Sequence, residues 1–482
     1  MSKHIFIDRE NETAFLGRAY SSPRPELLIL YGRRRIGKTE LMLRFMESRP
    51  GLYFLSTTEG SNSNLQAFVE KTADAIGDAS LKGAKFDGWL QFFTLLSRNS
   101  TFLKIIEKSK FIICIDEFTY LVQENAQILS IFQKAFDEVL SELNIMLVLA
   151  GSAVGIMEEK VMAVNTPLYG RRTGQWFLAP LQFRYLREFL DYGAEDLMKT
   201  WFTIGGVPRY LLEFERTVPF WENVRRHIIE KGSYLNGEGE ILLRSDFREP
   251  KNYRLILKAI SLGRQTFGEI SDHTGMDKSA VSKYLDTLRS THYIESVRSV
   301  TSPLNSKKTN YVISDPYLNF WFRYVDTNLT DIEAGRSADV MKRIKSSFAD
   351  YAGHMFESLT MEMIRAGTII EGISFTTMGR WWGRNPGKQS GEDQEEIDIV
   401  ALDEPSGTAM FAECKWRERP VDPGVYLRLK EKSRLVRWRN DSRKEQFALF
   451  SRAGFTDEMR RIAKDDGVML FDPEGMLRRS GR

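Results

Sequence analysis

A chain of 482 residues is long enough for roughly three domains at ~150 residues each. Hydrophobic residues make up 42% and charged residues 28%, which excludes disordered and fibrous classes. Lysine and arginine total 68 against 65 acids, a net charge of +3, so any polyanion-binding surface must be local.

Two cysteines, Cys114 and Cys414, cannot build a disulfide framework, which points to a reducing compartment. The first ten residues lack the apolar stretch of a signal peptide. The longest apolar run, Ile145 to Met157, is broken by Gly151, Ser152 and Gly155. It also falls short of the ~18 residues that a membrane span needs. The expectation is a cytoplasmic protein with no membrane partner.

In chain order, the first 180 residues alternate short β-type runs with amphipathic segments. Strands are predicted at Glu26–Tyr31, Leu52–Ser56, Phe111–Ile115, Ile145–Ala150 and Trp176–Ala179, with helical stretches such as Leu65–Ile76 and Ala126–Leu140 between them. That alternation implies an α/β domain with a mainly parallel sheet covered on both faces. Residues 181–245 read as helical, residues 246–330 as short helices followed by a hairpin, and residues 335–482 as a helix leading into strands.

The first predicted strand runs into Gly32-Arg33-Arg34-Arg35-Ile36-Gly37-Lys38-Thr39 and then a helix beginning at Glu40. This is G-x-x-x-x-G-K-[ST] between a strand and a helix, the context a phosphate-binding loop requires. Gly32 and Gly37 let main-chain N–H groups turn inward, and the helix start adds positive potential. Lys38 is expected to reach the β- and γ-phosphates of ATP, and Thr39 to ligate Mg²⁺. Arg35 and Glu40 flank those positions and join the expected nucleotide-binding set.

A second carboxylate is needed, and Phe111–Ile115 ends in Asp116-Glu117. Asp116 would hold Mg²⁺, and Glu117 would orient or deprotonate the attacking water. Ser152 follows the next apolar strand; a γ-phosphate or water contact and a simple loop cap fit it equally.

Phe6-Ile7-Asp8-Arg9-Glu10, the loop at 31–39, Ile115–Phe118, Pro167–Arg172 and Gly205-Gly206-Val207-Pro208-Arg209-Tyr210 together resemble the archaeal-type AAA+/STAND-related ATPases. The resemblance covers roughly the first half and implies a P-loop core with a helical lid. By analogy Arg9 lies near the adenine, Ser152 is a polar sensor, and Arg209 is a lid residue near the γ-phosphate. Arg171 and Arg172 are the candidates for stabilising transition-state charge, in cis or from a neighbouring copy. Such a family also implies a winged helix and a restriction-endonuclease-like C-terminal domain.

The remaining chain can be read independently. Thr266–His273, the turn Thr274-Gly275-Met276 and a helix capped by Asp277 or Ser279 form a helix-turn-helix pattern. Val281, Leu285 and Leu288 supply its buried stripe, while Ser279, Ser282, Lys283, Asp286 and Ser290 face outward. Tyr293–Val297 and Asn310–Ile313 would make a wing with Lys307 and Lys308 near its tip. DNA and a protein partner are both open for this module.

Farther on, Glu396–Leu402 and Thr408–Lys415 flank a turn. Pairing 403 with 408 sets Asp398 opposite Glu413, and Lys415 shares Glu413's face. Two carboxylates and a lysine suit Mg²⁺ or Mn²⁺ and a phosphodiester. An ordinary salt-bridged hairpin is the alternative. The pattern resembles the PD-(D/E)XK nuclease signature, which implies a further acid from the preceding helix, here Glu357. Residues 417–444 add arginines and lysines expected on a solvated or phosphate-tracking helix face.

Overall fold

The computed structural model describes residues 6–303, 308–370, 375–389 and 393–480. The chain forms two compact units. One comprises Met1–Leu181 with Val207–Arg209; the other comprises Gln182–Gly206 and Tyr210–Arg482.

The first unit is built on strands β1 (Glu26–Tyr31), β2 (Gly51–Leu55), β3 (Phe111–Asp116), β4 (Ile145–Gly151) and β5 (Gly174–Phe177). They form one five-stranded sheet in the order β2-β3-β4-β1-β5 with parallel pairing throughout. Alternate residues of the apolar runs serve opposite faces. Leu27, Ile29, Ile113 and Ile115 enter one core, and Leu28, Leu30, Ile112 and Cys114 enter the other. A sheet covered on both sides explains why these strands read as continuous apolar runs rather than alternating ones. The last strand begins two residues earlier than the expected Trp176, because Thr173 already hydrogen-bonds Leu27 and starts the pairing.

The second unit holds the winged helix and a mixed sheet. In the helix-turn-helix, Thr266 and Glu269 form a reciprocal cap at the start of the helix Phe267–Thr274. Gly275 closes that helix with φ 67°, and Asp277 caps the next, Lys278–Ser290. Val281, Leu285 and Leu288 are buried, each leucine contributing about 2 kcal/mol. The wing pairs β6 (Ile294–Val297) with β7 (Asn310–Ile313) in antiparallel register. Lys307 lies outside the described residues, and Lys308 precedes β7.

The C-terminal sheet runs β12-β11-β10-β9-β8. Its strands are β8 (Thr377–Arg384), β9 (Gln394–Asp403), β10 (Thr408–Lys415), β11 (Lys444–Ser451) and β12 (Met469–Phe471). Strands β8, β9 and β10 are antiparallel neighbours, whereas β11 and β12 continue in parallel with β10. Three of these five strands, β8, β11 and β12, go beyond the two read from the sequence. A 29-residue helix, Ser337–Arg365, also packs in this unit, burying Met355, Leu359 and Met363. The basic run is not one helix: only Pro423–Ser433 is helical, and Arg434, Arg437 and Arg439 fall in the irregular segment that follows. Among the described residues, no helix is long and apolar enough to cross a membrane.

The helix Ala194–Ile204, expected as part of a lid, is built into this second unit. Tyr351 donates to the Phe202 carbonyl at 2.6 Å, Arg452 pairs with Glu195 at 3.0 Å, and the Phe202 and Trp416 rings meet at 5.0 Å.

Candidate functional site: a phosphate loop and an acid–lysine cluster

The loop after β1 needs glycine at its first position. Gly32 has φ +151°, and a Cβ there would come within 2.4 Å of the Leu178 carbonyl oxygen. Gly37 sits at φ 94° and opens the helix Lys38–Met46. Lys38 lies across the loop, donating to the carbonyls of Gly32 at 2.8 Å and Arg33 at 2.9 Å. Arg9 is buried and donates to the carbonyls of Ile36 and Ala179. Its guanidinium is therefore occupied in bracing the loop against the segment after β5. Glu40 pairs with Arg44, and Arg35 has φ 71°.

Strand β4 lies between β1 and β3, yet Asp116 reaches the loop. Its Oδ2 accepts from Thr39 Oγ1 at 2.6 Å and from the Tyr53 hydroxyl at 2.7 Å. Its Oδ1 accepts from the Glu117 main-chain N–H at 2.9 Å. Tyr53 was not among the residues singled out by sequence. Burial, followed by its bond to Asp116, pushes its hydroxyl pKa upward, which keeps it a donor. Glu117 adopts a left-handed conformation, φ 52°, a strained geometry for a residue with a side chain. Ser152 at the end of β4 donates to Glu117 Oε2 at 2.7 Å. Asp116, Glu117, Thr39 and Ser152 are thus joined by direct hydrogen bonds.

The two arginines separate. Arg171 pairs with Asp137 at 3.1 Å on the surface. Arg172 donates to the Met162 carbonyl at 2.7 Å and lies over the Tyr169 ring. Arg209 is exposed.

In the second unit, the register of β9 and β10 pairs Asp403 with Thr408 and Ile399 with Ala412, which sets Asp398 opposite Glu413. The ladder ends there because the Asp398 carboxylate itself accepts the Cys414 N–H at 2.8 Å. Lys415 donates to Glu413 Oε1 at 2.8 Å and to Asp398 Oδ2 at 3.4 Å. Lys432, on the helix Pro423–Ser433, reaches the same Glu413 oxygen at 3.4 Å. Glu357 comes from the long helix and pairs with Arg380 of β8 at 2.6 Å. Burial, together with Asp398 and Glu413, outweighs Arg380 and pushes the Glu357 carboxyl up to about 8. Burial also raises Glu413, while at Lys415 the two acids overcome burial and hold the ammonium charged.

Glu413 Oε2 is buried with no hydrogen-bond donor, an oxygen that a cation would satisfy. Among the described residues, however, no three histidine, cysteine, aspartate or glutamate side chains form a ready metal cage. Asp398 and Glu413 offer a pair of carboxylates, with Glu357 committed to Arg380. Trp381 is core, in the cluster with Ile397 and Val400.

A phosphate loop on β1, an acid pair ending β3 and a parallel sheet define a P-loop ATPase domain, and a winged helix and a mixed-sheet domain follow it. Family models agree in order along the chain. An ATPase domain predominantly from Archaea matches residues 6–214, and a bacterial regulatory arsR-type module matches residues 251–296. A domain of archaeal and bacterial proteins of unknown function matches residues 321–433. The chain belongs to the archaeal-type ATPase family, sharing its architecture with an uncharacterised protein of Methanocaldococcus jannaschii. The two are 34% identical over 438 residues, covering 90% of this chain and 92% of the relative. Among solved structures, a Walker-type ATPase of Pyrococcus abyssi is 21% identical with a TM-score of 0.49, covering 66% of this chain and 96% of that one. The ORC2 protein of Aeropyrum pernix, solved in ADPNP and ADP complexes, is 14% identical with a TM-score of 0.44, covering 72% and 98%.

Proposed function

We propose that this protein binds and hydrolyses ATP at Gly32–Thr39 and uses the nucleotide state to control DNA engagement by its second unit. The observation that carries the ATPase reading is the bonded chain Thr39–Asp116–Glu117–Ser152. The Thr39 hydroxyl and Asp116 carboxylate stand side by side, which fits a magnesium ion beside the phosphates. Mg²⁺ bound there would supply charge neutralisation of the phosphoryl oxygens. Lys38 would leave its loop carbonyls for the β- and γ-phosphates. Glu117, aimed by Ser152 and by its own strained backbone, would take the proton of the attacking water. Of the two arginines, Arg172 is the candidate to assist, since Arg171 is held in a surface ion pair with Asp137.

DNA is the proposed partner of the winged helix, whose helix Lys278–Ser290 leaves Ser279, Ser282, Lys283 and Asp286 exposed. The wing leads directly toward the acid cluster. Val300 donates to the Arg380 carbonyl at 2.9 Å, and Ser299 hydrogen-bonds the main chain of Trp382. That connection joins the DNA module to the strand whose Arg380 holds Glu357.

At the acid cluster the reading is a PD-(D/E)XK-like site for phosphodiester cleavage. Asp398 and Glu413 would hold Mg²⁺ or Mn²⁺, which would lower the pKa of a bound water. Lys415 would orient the nucleophile or offset charge on the phosphate. A second reading, a nucleotide-gated interaction switch with a silent nuclease-like domain, is favoured by one observation: each acid of the cluster already has a cationic partner. ATP turnover and duplex affinity, each measured with and without the other ligand, test the proposal. It requires turnover lost in Lys38→Ala and a duplex affinity that changes with ATP. Turnover surviving Lys38→Ala, or duplex affinity indifferent to ATP, would sink it.

A further inference from the structure

The acid cluster contains two cations that the cleavage reading does not use. Arg380 holds Glu357, and Lys432 approaches Glu413 Oε1 at 3.4 Å while donating to the Glu396 carbonyl at 2.8 Å. With Lys415, three cations face three acidic side chains. Glu413 is nevertheless only half satisfied. Both lysines crowd Oε1, and Oε2 is buried with no donor.

This arrangement sets a problem for a metal ion. A divalent cation at Asp398 and Glu413 would meet two ammonium groups already in contact with those carboxylates, and like charges at that range repel. Magnesium and manganese also favour six oxygen ligands, commonly one or two carboxylates completed by water and substrate phosphates. The cluster supplies two carboxylates, and among the described residues no third acid, histidine or cysteine completes a cage.

A phosphodiester solves both problems together. Its oxygens complete the metal's shell, and its negative charge gives the displaced lysine a new partner. Of the two lysines, Lys432 is the less tied to the acids, its 2.8 Å bond going to the Glu396 main-chain carbonyl rather than to a carboxylate. Lys415 is fixed by two carboxylates, whereas Lys432 makes one long contact to Glu413 from the last turn of its helix. One turn earlier on the same helix face, Arg428 is exposed.

We propose that Lys432 is a positioning residue that exchanges between Glu413 and a DNA phosphate, so that a divalent cation binds the Asp398–Glu413 pair tightly only together with a phosphodiester. The proposal rests on the cleavage reading of this site and adds an order of assembly: nucleic acid first or jointly, with metal alone held only weakly. Lysine 432 thereby guards the buried carboxylate against metal in the absence of substrate.

The test uses the full chain, Mn²⁺ as the probe read by electron paramagnetic resonance, and a phosphorothioate duplex that keeps backbone charge while slowing cleavage. Binding that disappears in Asp398→Asn is assigned to the cluster, which separates it from the nucleotide site and from the duplex itself. In wild type, that Asp398-dependent affinity is expected to tighten about tenfold when the duplex is added. Lys432→Gln is expected to bind Mn²⁺ more tightly than wild type without duplex, to lose most of the duplex effect, and to bind the duplex more weakly. Lys432→Arg, which keeps the charge, restores the coupling; an unchanged thermal midpoint in both variants shows that folding is intact. Asp398-dependent Mn²⁺ binding that is the same in wild type and Lys432→Gln, with or without duplex, overturns the inference and leaves the cleavage reading standing. No Asp398-dependent Mn²⁺ binding under any condition overturns the cleavage reading as well.

Discussion

Asp116 and Glu413 are both buried carboxylates at the ends of apolar strands, but they are satisfied by different chemistry. Asp116 receives only neutral donors: a threonine hydroxyl, a tyrosine hydroxyl and a main-chain N–H. Glu413 receives two ammonium groups on one oxygen and nothing on the other. Neutral donors orient a carboxylate without cancelling its charge, which suits the metal role proposed for Asp116. Cationic donors offset that charge, so on the proposed reading Glu413 would exchange a partner before a metal binds. On the proposed reading, one acid is held ready for metal and the other is held shut.

The largest expected effect falls on the ready site. Glu117→Gln should lower ATP turnover about a hundredfold or more while leaving ATP binding in place, as equilibrium binding beside a turnover assay will show. Loss of both would mean that Glu117 shapes the site rather than acting on the water. Ser152→Ala should cost less, about three- to tenfold in turnover, because the strained backbone still aims Glu117.

Tyr53→Phe sharpens the comparison further. Removing one neutral donor should raise the Mg²⁺ concentration needed for half-maximal turnover several-fold, with nucleotide affinity in the absence of Mg²⁺ unchanged. Equal weakening with and without Mg²⁺ would show that the ring matters only for packing.

Glu362 supplies a third case, an acid with neither cations nor several donors. Burial pushes it up to about 7 against a single main-chain bond from Phe183. A carboxyl raised in the folded state costs stability as pH rises from its unfolded value, 4.5, through the folded one. Glu362→Gln should therefore raise the thermal midpoint by a few degrees at pH 8 and leave it nearly unchanged below pH 4.5. A gain of equal size at both pH values would assign the effect to packing.

Legibility in the sequence followed the range of the interactions. The phosphate loop was readable because glycines, lysine and threonine are contiguous and their roles local. The Asp398–Glu413 pairing was readable because one turn fixes the register of two adjacent strands. Tyr53 was not, because its approach to Asp116 depends on β2 pairing with β3 across an intervening stretch of helices. Lys432 and Arg380 were hidden for the same reason, arriving from a helix and a strand that only the folded sheet brings to the acids. Strand β11 was obscured by the basic run before it, and its parallel pairing with β10 carries no local turn signal. The docking of the helix Ala194–Ile204 into the C-terminal unit depends on single contacts such as Tyr351 to Phe202, which no periodicity announces.

The account stands or falls on whether the shut site opens for DNA. The most direct measurement is cleavage of plasmid and single-stranded DNA in Mg²⁺ or Mn²⁺, with and without ATP, for wild type beside Asp398→Asn and Lys38→Ala. The account predicts metal-dependent cleavage that Asp398→Asn abolishes and that loses its response to ATP in Lys38→Ala. Cleavage that survives Asp398→Asn, or a wild type that binds DNA under nucleotide control yet leaves every substrate intact, would contradict it and make the acid cluster a silent binding module.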